Sequence, residues 1–108
     1  MDATERGNMN IYRLSQKVNT GYDTFDSCIV LAASDVSAKR IHPRTRDEYG
    51  NDIVYDEEKK GFYDGDYQIS DAYSSWTNDL DAINVELIGL ASPRFKTATA
   101  ICASFNAG

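Results

Sequence analysis

The sequence predicts an α+β fold: a four-stranded antiparallel sheet in the order β-β-α-β-β, one short helix on one face, and an inserted hairpin-like excursion. Three observations predict it. Four segments carry the alternation or the β-branched apolar content of strands. One short stretch between the second and third of these carries helix start and stop signals. Between residues 44 and 81 both patterns give way to a segment dense in Tyr, Asp and Gly.

The first strand is read over 11–18, where Tyr12, Leu14 and Val18 share one face and Arg13, Ser15 and Lys17 the other. Asn19 to Asp26 is rich in turn formers, with Tyr22 and Phe25 set among them, and reads as a loop. The unbroken apolar run Cys28–Ala33 contains the β-branched pair Ile29 and Val30 and suits a central strand. Strand, loop and strand make an antiparallel hairpin.

A helix of about two turns follows. Ser34 is its N-cap, Asp35 suits the positive end of the dipole, and Lys39 and Arg40 suit the negative end. Pro43 stops it and pushes His42 towards an extended conformation. In the excursion, Ile53-Val54-Tyr55 and Phe62–Ile69 are expected to pair as a smaller hairpin across Glu57–Gly61, because so long a connection without structure is unusual in a compact domain. Ile83, Val85 and Leu87 then alternate with Asn84 and Glu86, and Ala98–Phe105 forms the last strand.

The 108 residues fit one domain, with 1–10 expected as a flexible N-terminal tail and 11–108 as a single α+β unit. The tail has no apolar core, so it does not read as a signal peptide, and no run reaches the roughly 18 apolar residues that would span a bilayer. Cys28 and Cys102 each lie in an apolar strand-like run and are expected as reduced, buried thiols rather than as a disulfide. The formal charge is −6, and it is uneven: 44–81 holds eleven of the 17 acidic side chains and four of the 11 basic ones. Such an acidic segment repels nucleic-acid backbones, so no direct DNA binding is expected, and it could attract a basic protein surface.

The pattern Ser15…Gly21-Tyr22-Asp23-Thr24-Phe25-Asp26-Ser27, then Val30…Ala32-Ala33 and Ile41-His42-Pro43, resembles a group of small uncharacterised proteins encoded by bacteriophages and prophages. The likeness resumes at Trp76, at Val85-Glu86-Leu87-Ile88-Gly89…Ala91, and at Ala103-Ser104-Phe105-Asn106-Ala107-Gly108. Residues 44–75 look like an enlarged insertion. The resemblance implies a viral protein acting in the host bacterial cytoplasm, where such proteins often blunt host defence; it carries no established activity.

Catalytic signatures are weak. The single histidine, His42, reads as a helix-end residue making a backbone hydrogen bond rather than a general base. Asp64-Gly65-Asp66-Tyr67-Gln68 lacks the sixth-position glycine and the terminal bidentate Glu of a calcium loop. Two separate cysteines and one histidine do not make a metal-ligand set. No cofactor is expected, and the reading is of a binding protein without turnover.

Two binding modes remain open. In the first, the chain sequesters a nucleotide-derived signalling molecule: Tyr22 and Trp76 stack on a base, Arg13, Arg44 and Arg94 take phosphates, and Asp23 and Asn106 read base or ribose edges. Thr24, Asp26 and Phe105 complete that site, which a homodimer or higher homo-oligomer would enclose between subunits. In the second, the acidic Tyr/Asp-rich segment binds and inhibits a host defence protein. The first mode uses the two ends of the chain and treats the excursion as separable.

Overall fold

The computed structural model describes residues 9–18, 24–46, 49–69 and 76–106. The described residues are mostly β with one short helix. Its elements are β1 (Asn10–Gln16), β2 (Thr24–Ala32), α1 (Asp35–Ala38), β3 (Val54–Asp56), β4 (Gly61–Asp64), β5 (Tyr67–Gln68), a 3-10 turn at Leu80–Ala82, β6 (Ile83–Leu90) and β7 (Thr99–Asn106). A four-stranded antiparallel sheet runs β6-β1-β2-β7, and a second, three-stranded sheet runs β3-β4-β5. The excursion therefore carries one strand more than a hairpin.

The register explains the alternation. Leu14 stands opposite Cys28 on one side and Val85 on the other, and Tyr12 opposite Val30 and Leu87. Tyr12, Leu14, Cys28 and Val30 turn towards the core with Val85 packed against it, while Leu87 is exposed. Arg13 pairs with Ile29 and Glu86 on the reverse face, where Ser15, Asp26, Glu86, Cys102 and Ser104 are exposed or half-buried. Bulges between Ile11 and Tyr12, and at two places along the β2–β7 pair, bend both outer strands.

Several boundaries differ from the sequence reading. Asn10, assigned to the tail, opens β1, and Gln16 rather than Val18 ends its buried row; Val18 lies beyond the strand and is exposed. Thr24–Asp26, read as loop, belongs to β2, because β7 supplies a partner strand: Thr24 pairs with Asn106 and Phe25 with Phe105. Long-range pairing thus outweighs local turn chemistry.

The helix is a single turn. Ser34 Oγ accepts the backbone N–H of Ser37 at 3.2 Å, as an N-cap does. Beyond Ala38 the bonds tighten to three-residue closures, Arg40 N–H to Ser37 and Ile41 N–H to Ala38, so Lys39 and Arg40 lie past the end rather than in the last turn. A helix this short stands only by packing, and Ala38 is buried against the sheet.

The core joins Tyr12, Leu14, Phe25, Cys28, Val30 and Ala32 of the sheet to Ala38, Phe62, Ile69, Trp76 and Ile83. Phe62 and Ile69 come from the excursion. It is not a separable insertion: removing 47–73 would strip two buried side chains from the core. Asn78 fastens it, accepting the Phe62 N–H at 2.6 Å through Oδ1 and donating to the Ile69 carbonyl at 2.9 Å. Gly61 lies close to this fastening: a Cβ there would come within 2.8 Å of Gln68 Nε2, the movable end of an exposed side chain, and 3.1 Å of Asn78 Oδ1.

Cys28 is buried and Cys102 exposed, and both are free thiols. Their strands are neighbours, but Cys102 pairs with Ile29 and Ala103 with Cys28, so the two side chains leave the sheet on opposite faces. Cys102 is therefore not the buried thiol that its apolar run suggests.

Candidate functional site

The two sequence motifs at the chain's ends do meet. Thr24, half-buried, begins β2 opposite Asn106, which ends β7. Phe25 and Phe105 pack edge to face with centroids 5.1 Å apart, Phe25 in the core and Phe105 43% exposed. Asp26 is exposed on the other face, where Ser104 Oγ donates to its carboxylate at 3.5 Å. Tyr22 and Asp23 lie outside the described residues.

The remaining candidates do not converge there. Arg13 stands in the middle of the reverse face between Ile29 and Glu86. Arg44 follows the helix, half-buried, and its backbone N–H donates to His42. Arg94 is exposed in the loop between β6 and β7, its guanidinium 4.8 Å from the Phe95 ring centroid. Trp76 is wholly enclosed in the core, which leaves no ring face for a base.

A groove of about 710 Å³ opens elsewhere, between residues 40–46, the strand 53–55 and the entry to β7 at 97–99. Its walls carry the guanidinium groups of Arg40 and Arg46, hydroxyls of Thr45, Thr97 and Thr99, and the Tyr55 ring. Its size falls within the range of small-molecule sites. Arg46 Nε meets Asp52 at 3.2 Å, with both side chains largely exposed. A second groove of about 470 Å³, lined by Glu57, Lys60, Asn78, Asp79 and Asp81, shares Arg40 and Tyr55 with the first.

Arg40 is the hinge between the two. Its Nη1 donates to the Val36 carbonyl at 2.7 Å, its guanidinium carbon lies 5.6 Å from the Tyr55 ring centroid, and its Nε and Nη2 edge grips the Glu57 carboxylate. The hydrogen bond from Arg40 holds the Glu57 carboxyl below its usual range, and the same bond raises Arg40. Burial, then the Glu57 charge, pushes the Tyr55 phenol upward.

His42 lies beneath this groove and is almost wholly buried. Its Nδ1 accepts the Arg44 backbone N–H at 3.0 Å, so Nε2 carries the proton. That Nε2 has no hydrogen-bond partner among the described residues, and the ring meets Phe62 edge to face at 5.1 Å. Burial first, and the Arg44 charge second, drives its pKa down to about 3. The backbone bond expected of His42 is present, made within the chain that follows the helix.

Among the described residues, no group of three or more His, Cys, Asp or Glu is placed to hold a metal ion. No helix among them is long and apolar enough to cross a membrane. The groove escaped sequence reading because Arg40, Tyr55 and Thr97–Thr99 come from three distant segments, none with a motif of its own. No family model, curated protein or solved structure matches the chain.

Proposed function

We propose that this chain is a non-enzymatic binding protein, a phage counter-defence protein that sequesters a nucleotide-derived host signalling molecule in the groove between residues 40–46, 53–55 and 97–99. One observation carries the reading. A chain of net charge −6 lines this groove with two arginines, three threonines and Tyr55 against one carboxylate, Asp52, which supplies donors and a flat face of the kind a phosphorylated nucleoside needs. The paired ends at Thr24 and Asn106 support a second contact surface on the same sheet.

Sequestration needs tight binding and no reacting group. His42 suits that role poorly as a base: it is sealed from solvent, and its Nδ1 lone pair is already engaged by Arg44. A homo-oligomer fits the open sheet edges, since β7 carries no charged residue and β6 only Glu86. Unguarded edges of this kind invite pairing with another strand.

Titration calorimetry against cyclic dinucleotides and ADP-ribose-type messengers tests the reading, with Arg46→Glu as the variant expected to weaken binding at least tenfold. Binding of none of these messengers would remove it.

A second reading has an observation of its own. Tyr49 and Tyr67, at 81% and 75% exposure, project from the excursion beside Asp52, Asp64 and Asp66. Exposed tyrosine among carboxylates suits docking on a basic face of a host defence protein. Such a complex would weaken steeply as salt rises, and a salt-independent one would count against it.

A further inference from the structure

We infer that Arg40 is an anchor for a phosphate group of the groove's ligand, and that Glu57 is a built-in competitor occupying that anchor in the free protein. The inference rests on the groove being the ligand site and names the chemistry of one of its contacts. Arg40 alone of the groove's cations lines both cavities, and Glu57 meets it from the second.

The guanidinium is held in place independently of Glu57. Its Nη1 donates to the Val36 carbonyl one helical turn back, and its guanidinium carbon lies 5.6 Å from the Tyr55 ring centroid. These restraints leave the Nε–Nη2 edge as a preset fork. A carboxylate and a phosphate present the same pair of oxygens to such a fork, so each can replace the other without moving the arginine.

Glu57 is built to leave. It sits at the start of the turn between β3 and β4, its side chain 63% exposed. Its neighbour Asp56, not Glu57, secures that turn by accepting the Glu58 and Lys59 N–H groups, both at 2.9 Å. The turn keeps its shape when the Glu57 side chain swings out. An exposed ion pair of this type contributes little net stability, so a phosphate dianion in the groove displaces it at small cost.

Inorganic pyrophosphate is the probe, followed by calorimetry on the wild-type chain and on Glu57→Gln, Arg40→Lys and Arg40→Gln, each checked by circular dichroism for native folding. Glu57→Gln should bind about two- to fivefold tighter, the worth of an exposed ion pair removed as competitor. Arg40→Lys keeps the charge but loses the fork and should bind more weakly, and Arg40→Gln should lose binding. A Glu57→Gln variant no tighter than wild type, an Arg40→Gln variant that binds undiminished, or no binding of pyrophosphate by the wild type overturns the inference. The two readings separate cleanly: nucleotide messengers that bind without responding to Glu57→Gln sink the competitor alone. A pyrophosphate response in the predicted order, with no messenger bound, sinks the messenger reading alone.

Discussion

Gln16 and Thr77 are joined across 61 residues of chain by a buried hydrogen bond, the Thr77 N–H donating to Gln16 Oε1 at 3.0 Å. The same amide donates through Nε2 to the Phe25 carbonyl, also at 3.0 Å. One side chain thus ties β1 to β2 and to the segment that returns from the excursion beside Trp76. A polar residue stands in an apolar row because two backbone groups there need it.

Gln16→Leu should therefore destabilise the protein despite adding apolar volume. It strands the Thr77 N–H and the Phe25 carbonyl, and an orphaned buried group costs about 1–3 kcal/mol. Urea unfolding reads the loss, and a variant as stable as wild type would show that these groups find other partners.

The buried His42 makes stability depend on pH. Its folded-state pKa, about 3, lies below the ordinary 6.5, so the unfolded chain binds a proton between those values while the folded chain does not. The stabilisation is complete above pH 6.5 and is lost as pH falls towards 3. Unfolding free energies measured between pH 7 and 4 should fall with a slope approaching about 1.4 kcal/mol per pH unit from this group. His42→Gln, which keeps an amide donor and acceptor but does not titrate, should flatten that slope.

The two thiols should react at very different rates. Burial pushes the Cys28 thiol up to about 12, with the nearby Cys102 adding to the effect, whereas Cys102 is exposed on an edge strand. A chromogenic disulfide reagent at pH 8 should titrate one thiol per chain quickly and the second only after denaturant is added. Cys102→Ser should remove the fast phase alone.

Lys60 holds a left-handed backbone at φ 56° in the β3–β4 turn, where its N–H donates to the Asp56 carbonyl at 2.8 Å. A side chain is strained in that conformation and glycine is not. Lys60→Gly should raise stability by about 0.5–1 kcal/mol, measured by thermal or urea unfolding. A loss of stability would mean that the lysine side chain contributes more than its backbone costs.

Much of the main sheet was legible because its signals are local. Tyr12 and Leu14 alternate with Arg13, Ile83 and Val85 with Asn84, and a period of two assigns a face whatever the partner strand. The hairpin in the excursion was legible for a related reason, since Val54–Asp56 and Gly61–Asp64 flank a short polar turn. The site was much less so. Arg13, Arg44, Trp76 and Arg94 were grouped by residue type, and the fold scatters them over the reverse face, the helix exit, the core and a loop. Sequence spacing holds no information on which of several aromatics ends in the core.

By itself the sequence determined the alternation of Tyr12, Arg13 and Leu14 between two faces, the N-cap at Ser34 and the uneven charge, because each depends on neighbours a few residues away. Only the tertiary structure decided that Thr24–Asp26 is strand, that Phe62 and Ile69 belong to the core, and that Arg40, Tyr55 and Thr97–Thr99 wall one groove. Those outcomes follow from pairings between residues tens of positions apart. Such pairings are chosen by the burial of the whole chain at once, and no local pattern records them.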